Sequence, residues 1–259
     1  RSVSRGLGDV YKRQILFPAI DLKGGNCVRL IKGDMNESTV FNTSPGGQAA
    51  IFQSAGCEWL HVVDLDGAFS GRSINNEAIG SIIDSVKCPI QLGGGIRDLK
   101  SVEHWINRGI SRVILGTAAM KNPEFVKESC KEFPERIVVG IDAREGFVSV
   151  EGWVKHSDMN ILELADRFED SGVSAIIYTD IDRDGVLSGV NIEGTLALAS
   201  KVEIPVIASG GLSSIQELKN LLDEARGKIA GIICGRALYE NRINLEDALG
   251  ILSHGDREC

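Results

Sequence analysis

The second half of this chain repeats polar, glycine-rich segments of its first half. Residues 64–71 read DLDGAFSG and residues 182–189 read DRDGVLSG, so that five of eight positions are identical. Other matching pairs lie at nearly the same separation: Asp21 with Asp142, Gly94 and Gly95 with Gly210 and Gly211, and Gly116 with Gly235. A separation of almost half the chain is too long for a solenoid repeat of about 20–50 residues. It indicates a domain assembled from two duplicated halves, and a ligand with two similar ends.

Short apolar runs rich in β-branched residues alternate with longer amphipathic stretches. Nearly continuous apolar runs are typical of buried parallel strands. The predicted strands are 15–21, 59–66, 89–94, 112–116, 136–142, 175–182, 204–209 and 229–235. The predicted helices are 45–56, 75–86, 98–109, 122–133, 159–172, 191–202, 213–226 and 244–252, with Asp98 and Ser213 as two of the N-caps.

Eight strands in strict alternation with eight helices predict an α/β fold, a (β/α)8 TIM barrel. Two half-barrels joined near Glu135 would account for the duplication. An open doubly wound sheet is the alternative, but it usually stops at about five or six strands and does not explain two matching halves.

Composition limits the remaining possibilities. Residues 1–14 are basic, with few apolar residues and no periodic pattern, so we expect a foreign or disordered extension and one barrel domain over residues 15–259. A net charge of −8 with no basic tract argues against a nucleic-acid partner. No apolar run approaches the roughly 18 residues of a membrane span. The six cysteines and four histidines form no ligand pattern, which favours reduced thiols in the cytoplasm and no metal site.

Two aspartates end apolar runs on opposite sides of the predicted barrel, where the C-terminal ends of strands form active sites. Asp21 ends the first predicted strand and Asp142 ends the fifth. Such a carboxylate can cap loop amides, or the two can serve as general acid and general base. Equivalent placement in the two halves favours the catalytic interpretation.

Glycine-rich turns follow the third, fourth, seventh and eighth predicted strands, and backbone amides in such turns bind anions. They predict two phosphate sites, one formed by Gly94, Gly95, Arg97, Gly116 and Thr117, the other by Ser209, Gly210, Gly211, Gly235 and Arg236.

Two further residues are candidates for substrate contact. Thr179 in the sixth strand is placed to orient a substrate, and Trp153 in the loop after the fifth strand is placed to stack on a planar heterocycle. Residues 180–185 (DIDRDG) lack the distal glutamate of an EF-hand, so we expect no calcium there.

Residues 17–30 (FPAIDLKGGNCVRL), followed by KGD at 32–34, resemble the start of the phosphoribosylformimino-aminoimidazole carboxamide ribotide (ProFAR) isomerases of histidine biosynthesis. The likeness extends over residues 15–252 and includes 93–97, 140–142, 180–185, 209–211 and 235–238. It implies a cofactor-independent Amadori rearrangement of a ribonucleotide with two phosphoribosyl groups. It further implies that Asp21 is the general base, Asp142 the general acid, and Thr179 an assisting residue. We expect a cytoplasmic monomer without cofactor or metal.

Three alternatives remain open. The first is the cyclase subunit of imidazole glycerol phosphate synthase, whose first strand typically ends in Cys-x-Asp followed by Asp-Gly and a functional lysine. This chain has Ala19, a Gly-Gly pair and Arg29 instead. The second is a bifunctional isomerase that also accepts phosphoribosylanthranilate, which would differ in its loops. The third is a non-catalytic phosphoribosyl-binding barrel, which would keep the glycine turns but needs neither aspartate.

Overall fold

Eight parallel strands close into a barrel in the structure, a computed structural model that describes residues 14–254. The barrel order is β1, β4, β5, β6, β7, β10, β11 and β12, and β12 pairs with β1. The strands are β1 (Ile15–Lys23), β2 (Asn26–Ile31), β3 (Asp34–Asn42), β4 (Leu60–Asp64), β5 (Ile90–Gly93), β6 (Arg112–Leu115), β7 (Ile137–Arg144), β8 (Phe147–Val150), β9 (Lys155–Asn160), β10 (Ala175–Asp180), β11 (Val206–Ser209) and β12 (Gly231–Cys234). The predicted TIM barrel is confirmed. The predicted extension, residues 1–14, lies outside the described residues except for Gln14.

Helices cover the outside of the barrel. They are α1 (Pro45–Ser54), α2 (Leu65–Ser70), α3 (Asn76–Ser85), α4 (Leu99–Asn107), α5 (Thr117–Lys121), α6 (Pro123–Glu132), α7 (Ile161–Asp166), α8 (Ile192–Lys201), α9 (Ile215–Ala225), α10 (Arg236–Tyr239) and α11 (Leu245–His254). The main core lies between strands and helices, and a smaller cluster that includes Phe17, Val138 and Ile207 fills the barrel interior. The barrel is therefore a packed core and not a pore.

Two antiparallel hairpins extend the barrel at equivalent places in the two halves. The β2–β3 hairpin follows the first barrel strand, and the β8–β9 hairpin follows the fifth. The prediction missed both because β3 and β9 are largely exposed and polar, and so lack a buried-strand pattern. The helix predicted over 159–172 is correspondingly shorter, Ile161–Asp166.

One of the two predicted N-caps is confirmed. The Asp98 carboxylate accepts from the backbone N–H of Ser101 at the start of α4. Ser213 is not the cap of α9, because Ser214 accepts from the Glu217 N–H while Ser213 donates its own N–H and hydroxyl to Glu217 Oε2.

The duplication has a different register from the one that the sequence suggests. Asp64 ends β4 and Asp180 ends β10, and each binds an asparagine amide at 2.7 Å, from Asn75 and Asn191. Asp180, not Asp182, is therefore the counterpart of Asp64. In each half the asparagine lies eleven residues after the aspartate, so the two loops have the same length, and in this register Asp182 corresponds to Asp66 and Asp184 to Ala68.

Candidate active site

A single cavity at the C-terminal ends of the barrel strands contains every predicted site residue. Its lining includes Asp21, Gly94, Gly95, Arg97, Gly116, Thr117, Asp142, Trp153, Thr179, Ser209, Gly210, Gly211, Gly235 and Arg236. The lining also contains Arg29, His61 and Asp184, which the sequence analysis did not assign to the site.

Asp21, near the C-terminal end of β1, forms an ion pair with Arg29 of the adjacent strand β2. Arg29 Nη1 lies 2.6 Å from Asp21 Oδ2, with the aspartate side chain 18% exposed and the arginine 8%. Burial raises the pKa of Asp21, and the Arg29 guanidinium opposes that rise. The cation therefore favours the ionised form that a general base requires.

Arg29 itself is held from several sides. Its Nη2 donates to the Ala19 carbonyl, and its guanidinium lies over the Tyr239 ring, 4.9 Å from the centroid. A Cβ at Gly235 would come within 2.8 Å of the guanidinium carbon. Glycine at this position lets the arginine reach from Asp21 to the turn after β12.

Asp142 lies near the C-terminal end of β7, directly opposite β1 in the barrel order. Its neighbour across the β7–β10 pairing is Thr179, which is 6% exposed. Burial raises the pKa of Asp142, and hydrogen bonds from Trp153 and Thr179 oppose the rise. Asp142 is hydrogen-bonded to neutral groups, whereas Asp21 is paired with a cation. The environment of Asp142 therefore favours the protonated form more strongly than the environment of Asp21 does.

Asp184 is a third carboxyl group in the same cavity. Burial raises its pKa to about 7, and the charges of Asp21 and Asp142 add to this rise against the effect of Arg29. The sequence signal for Asp184 was the DRDG echo itself, but aligning that echo with residues 64–67 set Asp184 against Asp66, whereas the register of the structure sets it against Ala68. His61 on β4 is neutral at pH 7, because burial and Arg29 lower its pKa to about 3.

The four glycine turns form two cradles on opposite sides of the cavity. The turns after β5 and β6 form the first, and those after β11 and β12 form the second. At Gly94 (φ +103°) a Cβ would collide with the Asp64 carbonyl oxygen, and at Gly210 (φ +90°) it would lie 2.7 Å from the Asp180 carbonyl oxygen. Only glycine allows this close approach of backbone to backbone at a positive φ.

Each cradle contains one arginine, but at a different place in its turns. In the first cradle Arg97 follows the glycine pair and Thr117 follows the single glycine; in the second these places hold Ser213 and Arg236. Arg97 Nη2 donates to the Ala68 carbonyl at 3.2 Å, and Arg236 Nη1 donates to the Gly185 carbonyl at 2.7 Å. Both arginines therefore anchor loops at the cavity rim as well as lining it.

Loops from both halves meet over the cavity. The Trp153 ring, at the tip of the β8–β9 hairpin, occupies the space beside Gly33 at the tip of the β2–β3 hairpin. Trp153 is half-buried. Lys32 N donates to the Asp184 carbonyl at 3.1 Å, which ties the β2–β3 hairpin to the loop after β10.

Within residues 14–254, no three or more His, Cys, Asp or Glu side chains are grouped so as to hold a metal ion. In the same range no helix is long and apolar enough to cross a membrane.

The closed barrel and its cavity place the chain in the class of (β/α)8-barrel proteins that hold ligands at the C-terminal ends of the strands. Within that class, the chain belongs to the family described as histidine biosynthesis protein, whose model matches residues 15–244.

Curated relatives in this family are similar over nearly their whole length. A Paramagnetospirillum magneticum protein is 60% identical over 237 residues, covering 92% of this chain and 98% of the relative. A Rhodospirillum rubrum protein is 55% identical over 239 residues, covering 92% and 99%. Both are named 1-(5-phosphoribosyl)-5-((5-phosphoribosylamino)methylideneamino) imidazole-4-carboxamide isomerase.

Proposed function

We propose that this chain is an isomerase of histidine biosynthesis that converts the aminoaldose named in its relatives to the corresponding aminoketose, an Amadori rearrangement. The observation that carries the proposal is the placement of Asp21 and Asp142 on opposite barrel strands, between two glycine cradles in one cavity. A substrate with a phosphoribosyl group at each end matches that arrangement in both charge and symmetry.

The mechanism requires a proton donor and a proton acceptor. Asp142, in its neutral form, protonates the ring oxygen of the ribose, and the ring opens to a protonated Schiff base. Asp21, kept ionised by Arg29, then removes the proton from C2 to give an enolamine, which tautomerises to the aminoketose. Thr179 holds the Asp142 carboxyl group by a hydrogen bond and so fixes its direction. Protons are exchanged within the site, and the reaction uses no redox group.

Asp184 is the competing candidate for the general acid. A pKa of about 7 means that both its protonated and its ionised form are populated near neutral pH. We assign the acid to Asp142 because of its position opposite the base and its hydrogen bonds to Thr179 and Trp153. On this assignment, the carboxyl group of Asp184 would contact the substrate without donating the ring-opening proton.

The remaining residues bind and enclose the substrate. In this proposal Gly94, Gly95, Arg97, Gly116 and Thr117 hold one phosphate. A second set holds the other: Ser209, Gly210, Gly211, Gly235 and Arg236. Trp153 stacks on the imidazole and closes the cavity, which excludes water from the Schiff base.

We further propose a monomer that acts in the cytoplasm, without a nucleic-acid partner. Support for the monomer is that one chain supplies every residue of the proposed site. Support for the cytoplasm is that the described cysteines are all free thiols. The net charge of −8 disfavours nucleic acid.

Assaying the purified chain with the aminoaldose in the presence of EDTA tests the proposal. We expect the aminoketose to form, because no step of the mechanism uses a metal. Activity that needs added Mg²⁺ or Zn²⁺ would contradict it. If the chain turns over only the aminoketose, with ammonia, it is a cyclase. If it also turns over phosphoribosylanthranilate, it is a bifunctional isomerase. Binding without turnover would identify a phosphoribosyl-binding protein.

A further inference from the structure

Two cysteines meet at the N-terminal end of the barrel, opposite the cavity. Cys57 lies between α1 and β4, and Cys88 lies between α3 and β5. These strands are neighbours, since Leu60 pairs with Ile90 and the Leu60 N–H donates to the Pro89 carbonyl at 3.0 Å. The Cys57 and Cys88 thiols are hydrogen-bonded to each other.

The backbone around both thiols is fixed by the last turn of α1. Gln53 Oε1 accepts from the N–H of Cys88 at 3.0 Å, and also from the N–H of Lys87. The Cys57 N–H donates to the Phe52 carbonyl at 3.3 Å. Because the same helix end holds both segments, the folded structure keeps the two cysteines side by side.

The two thiols differ in access and in acidity. Cys57 is 5% exposed and belongs to the core, whereas Cys88 is half-buried. The hydrogen bond from Cys57 lowers the pKa of the Cys88 thiol, while the same contact and burial raise that of Cys57. An accessible sulfur that ionises more readily, beside a buried one, is the arrangement of an attacking and a resolving cysteine.

We propose that Cys57 and Cys88 are a redox modification site that forms a reversible intramolecular disulfide with a low-molecular-weight disulfide, such as oxidised glutathione, as oxidant. The Cys88 thiolate attacks one glutathione sulfur, which forms a mixed disulfide and releases one glutathione thiolate. Cys57 loses its proton and attacks Cys88 Sγ, which releases the second glutathione. Two protein thiols are oxidised and one glutathione disulfide is reduced to two thiols, so that the exchange balances.

The disulfide would link the starts of β4 and β5 and close a chain loop that contains α2 and α3. A cross-link restricts the unfolded chain and so favours the folded state. The site lies at the end of the barrel opposite the carboxyl groups, so oxidation should leave the active-site geometry unchanged. The expected result is an oxidised form with unchanged kcat and a Tm higher by several degrees.

The test exposes the full-length folded protein to oxidised glutathione, blocks free thiols by alkylation, and identifies the peptides by mass spectrometry. We expect a cross-linked peptide pair containing Cys57 and Cys88, which dithiothreitol separates. Cys57→Ser should accumulate the mixed disulfide at Cys88, and Cys88→Ser should form neither product. Cys130→Ser, a change at a buried cysteine of α6, is the matched control and should behave as wild type.

A second measurement does not depend on variants that may be less stable. Among Cys27, Cys57, Cys88, Cys130 and Cys234 of the native protein, Cys88 should react first with iodoacetamide. The proposal is overturned if Cys57 and Cys88 both remain alkylatable after oxidation, if the link forms only in denaturant, or if another of these five cysteines reacts before Cys88.

Discussion

Asp21 and Asp142 have similar positions but different partners, and this difference predicts different roles. Asp21→Asn and Asp142→Asn should each lower kcat about 10²–10⁴-fold, the usual effect of positioned acid–base catalysis. KM should change much less, since the cradles hold the substrate ends. The double variant should be far less than multiplicatively slower, because both groups serve one intermediate. Steady-state kinetics on folded variants provide the measurement.

The same experiment decides between the two candidate acids. Asp184→Asn should reduce kcat less than Asp142→Asn, and only the loss of the true acid should remove the decline in kcat at high pH. If Asp184→Asn has the larger effect and Asp142→Asn stays near wild type, the ring-opening proton comes from Asp184.

Arg29 is expected to control the pH dependence of the base. Its charge lowers the pKa of Asp21, so Arg29→Gln should raise that pKa and move the acidic limb of kcat/KM upward by about 1 pH unit. Arg29→Lys keeps the charge, so its acidic limb should lie close to that of the unsubstituted protein. An acidic limb unchanged in Arg29→Gln would mean that Asp21 is not the group observed.

The buried carboxyl group of Asp184 should lower the free energy of unfolding when it is ionised. Its folded pKa, about 7, lies above the unfolded value near 3.8, so the folded state binds the extra proton and stability falls as pH rises from about 4 to 7. Asp184→Asn removes the charge, and should raise the free energy of unfolding at pH 8 by about 2 kcal/mol, after allowing for partial exposure. Urea denaturation at pH 5 and pH 8 measures this. Asp182→Asn, at a more exposed position in the same loop, should show no comparable gain.

At the scale of elements, the β8–β9 hairpin brings Trp153 over the cavity and is held there by Glu151. Glu151 pairs with Lys121 and Lys155, and its N–H donates to Thr117 Oγ1 at 2.9 Å. The hairpin is thereby attached to the first cradle, so its position and phosphate binding should be coupled.

Weakening this attachment should loosen the hairpin without altering the chemistry. Glu151→Gln should raise KM about two- to fivefold and leave kcat nearly unchanged, because partly exposed ion pairs contribute little each. It should also speed proteolysis within residues 147–160. Glu124→Gln, which breaks an exposed pair with Lys127 on α6, is the control. Equal effects of both variants would exclude a specific role for Glu151.

The elements that sequence could predict are those with a buried face. Apolar periodicity predicted all eight barrel strands and eight of the helices, because burial against the barrel imposes that pattern. These helices are α1, α3, α4, α6, α7, α8, α9 and α11. The hairpins and the short helices α2, α5 and α10 could not be predicted, since tertiary contacts at the rim stabilise them. Asp184 and Arg29 were missed as site residues for a related reason: one lies in the loop after β10, where the sequence echo suggested the wrong register, and the other lies on a hairpin strand.

For the whole molecule, duplication accounts for two similar glycine cradles at one end of the barrel, which the proposed ligand with two phosphates would need. The β5 and β6 turns lie opposite the β11 and β12 turns in the strand order, as β1 lies opposite β7. The two proposed catalytic carboxyl groups and the two glycine cradles therefore alternate around the rim. Asp184 stands where the first half has Ala68, and the arginine has a different place in each cradle, which shows where the two halves have diverged.

Two separate cradles should make additive contributions to binding. Thr117→Val removes a hydroxyl from one and Ser209→Ala from the other, and each should raise KM about 10-fold, the effect of losing one hydrogen bond to a charged group. The double variant should match the product of the single effects within about twofold, because distant sites act independently. Ser174→Ala removes a hydroxyl at the opposite end of the barrel, where Ser174 donates to the Ile137 carbonyl, and should leave KM unchanged.

Inorganic phosphate should inhibit competitively with a dependence steeper than first order in its concentration, since two ions can occupy the cavity. If inhibition is instead first order in phosphate, and either Thr117→Val or Ser209→Ala leaves it unchanged, then only one cradle binds phosphate.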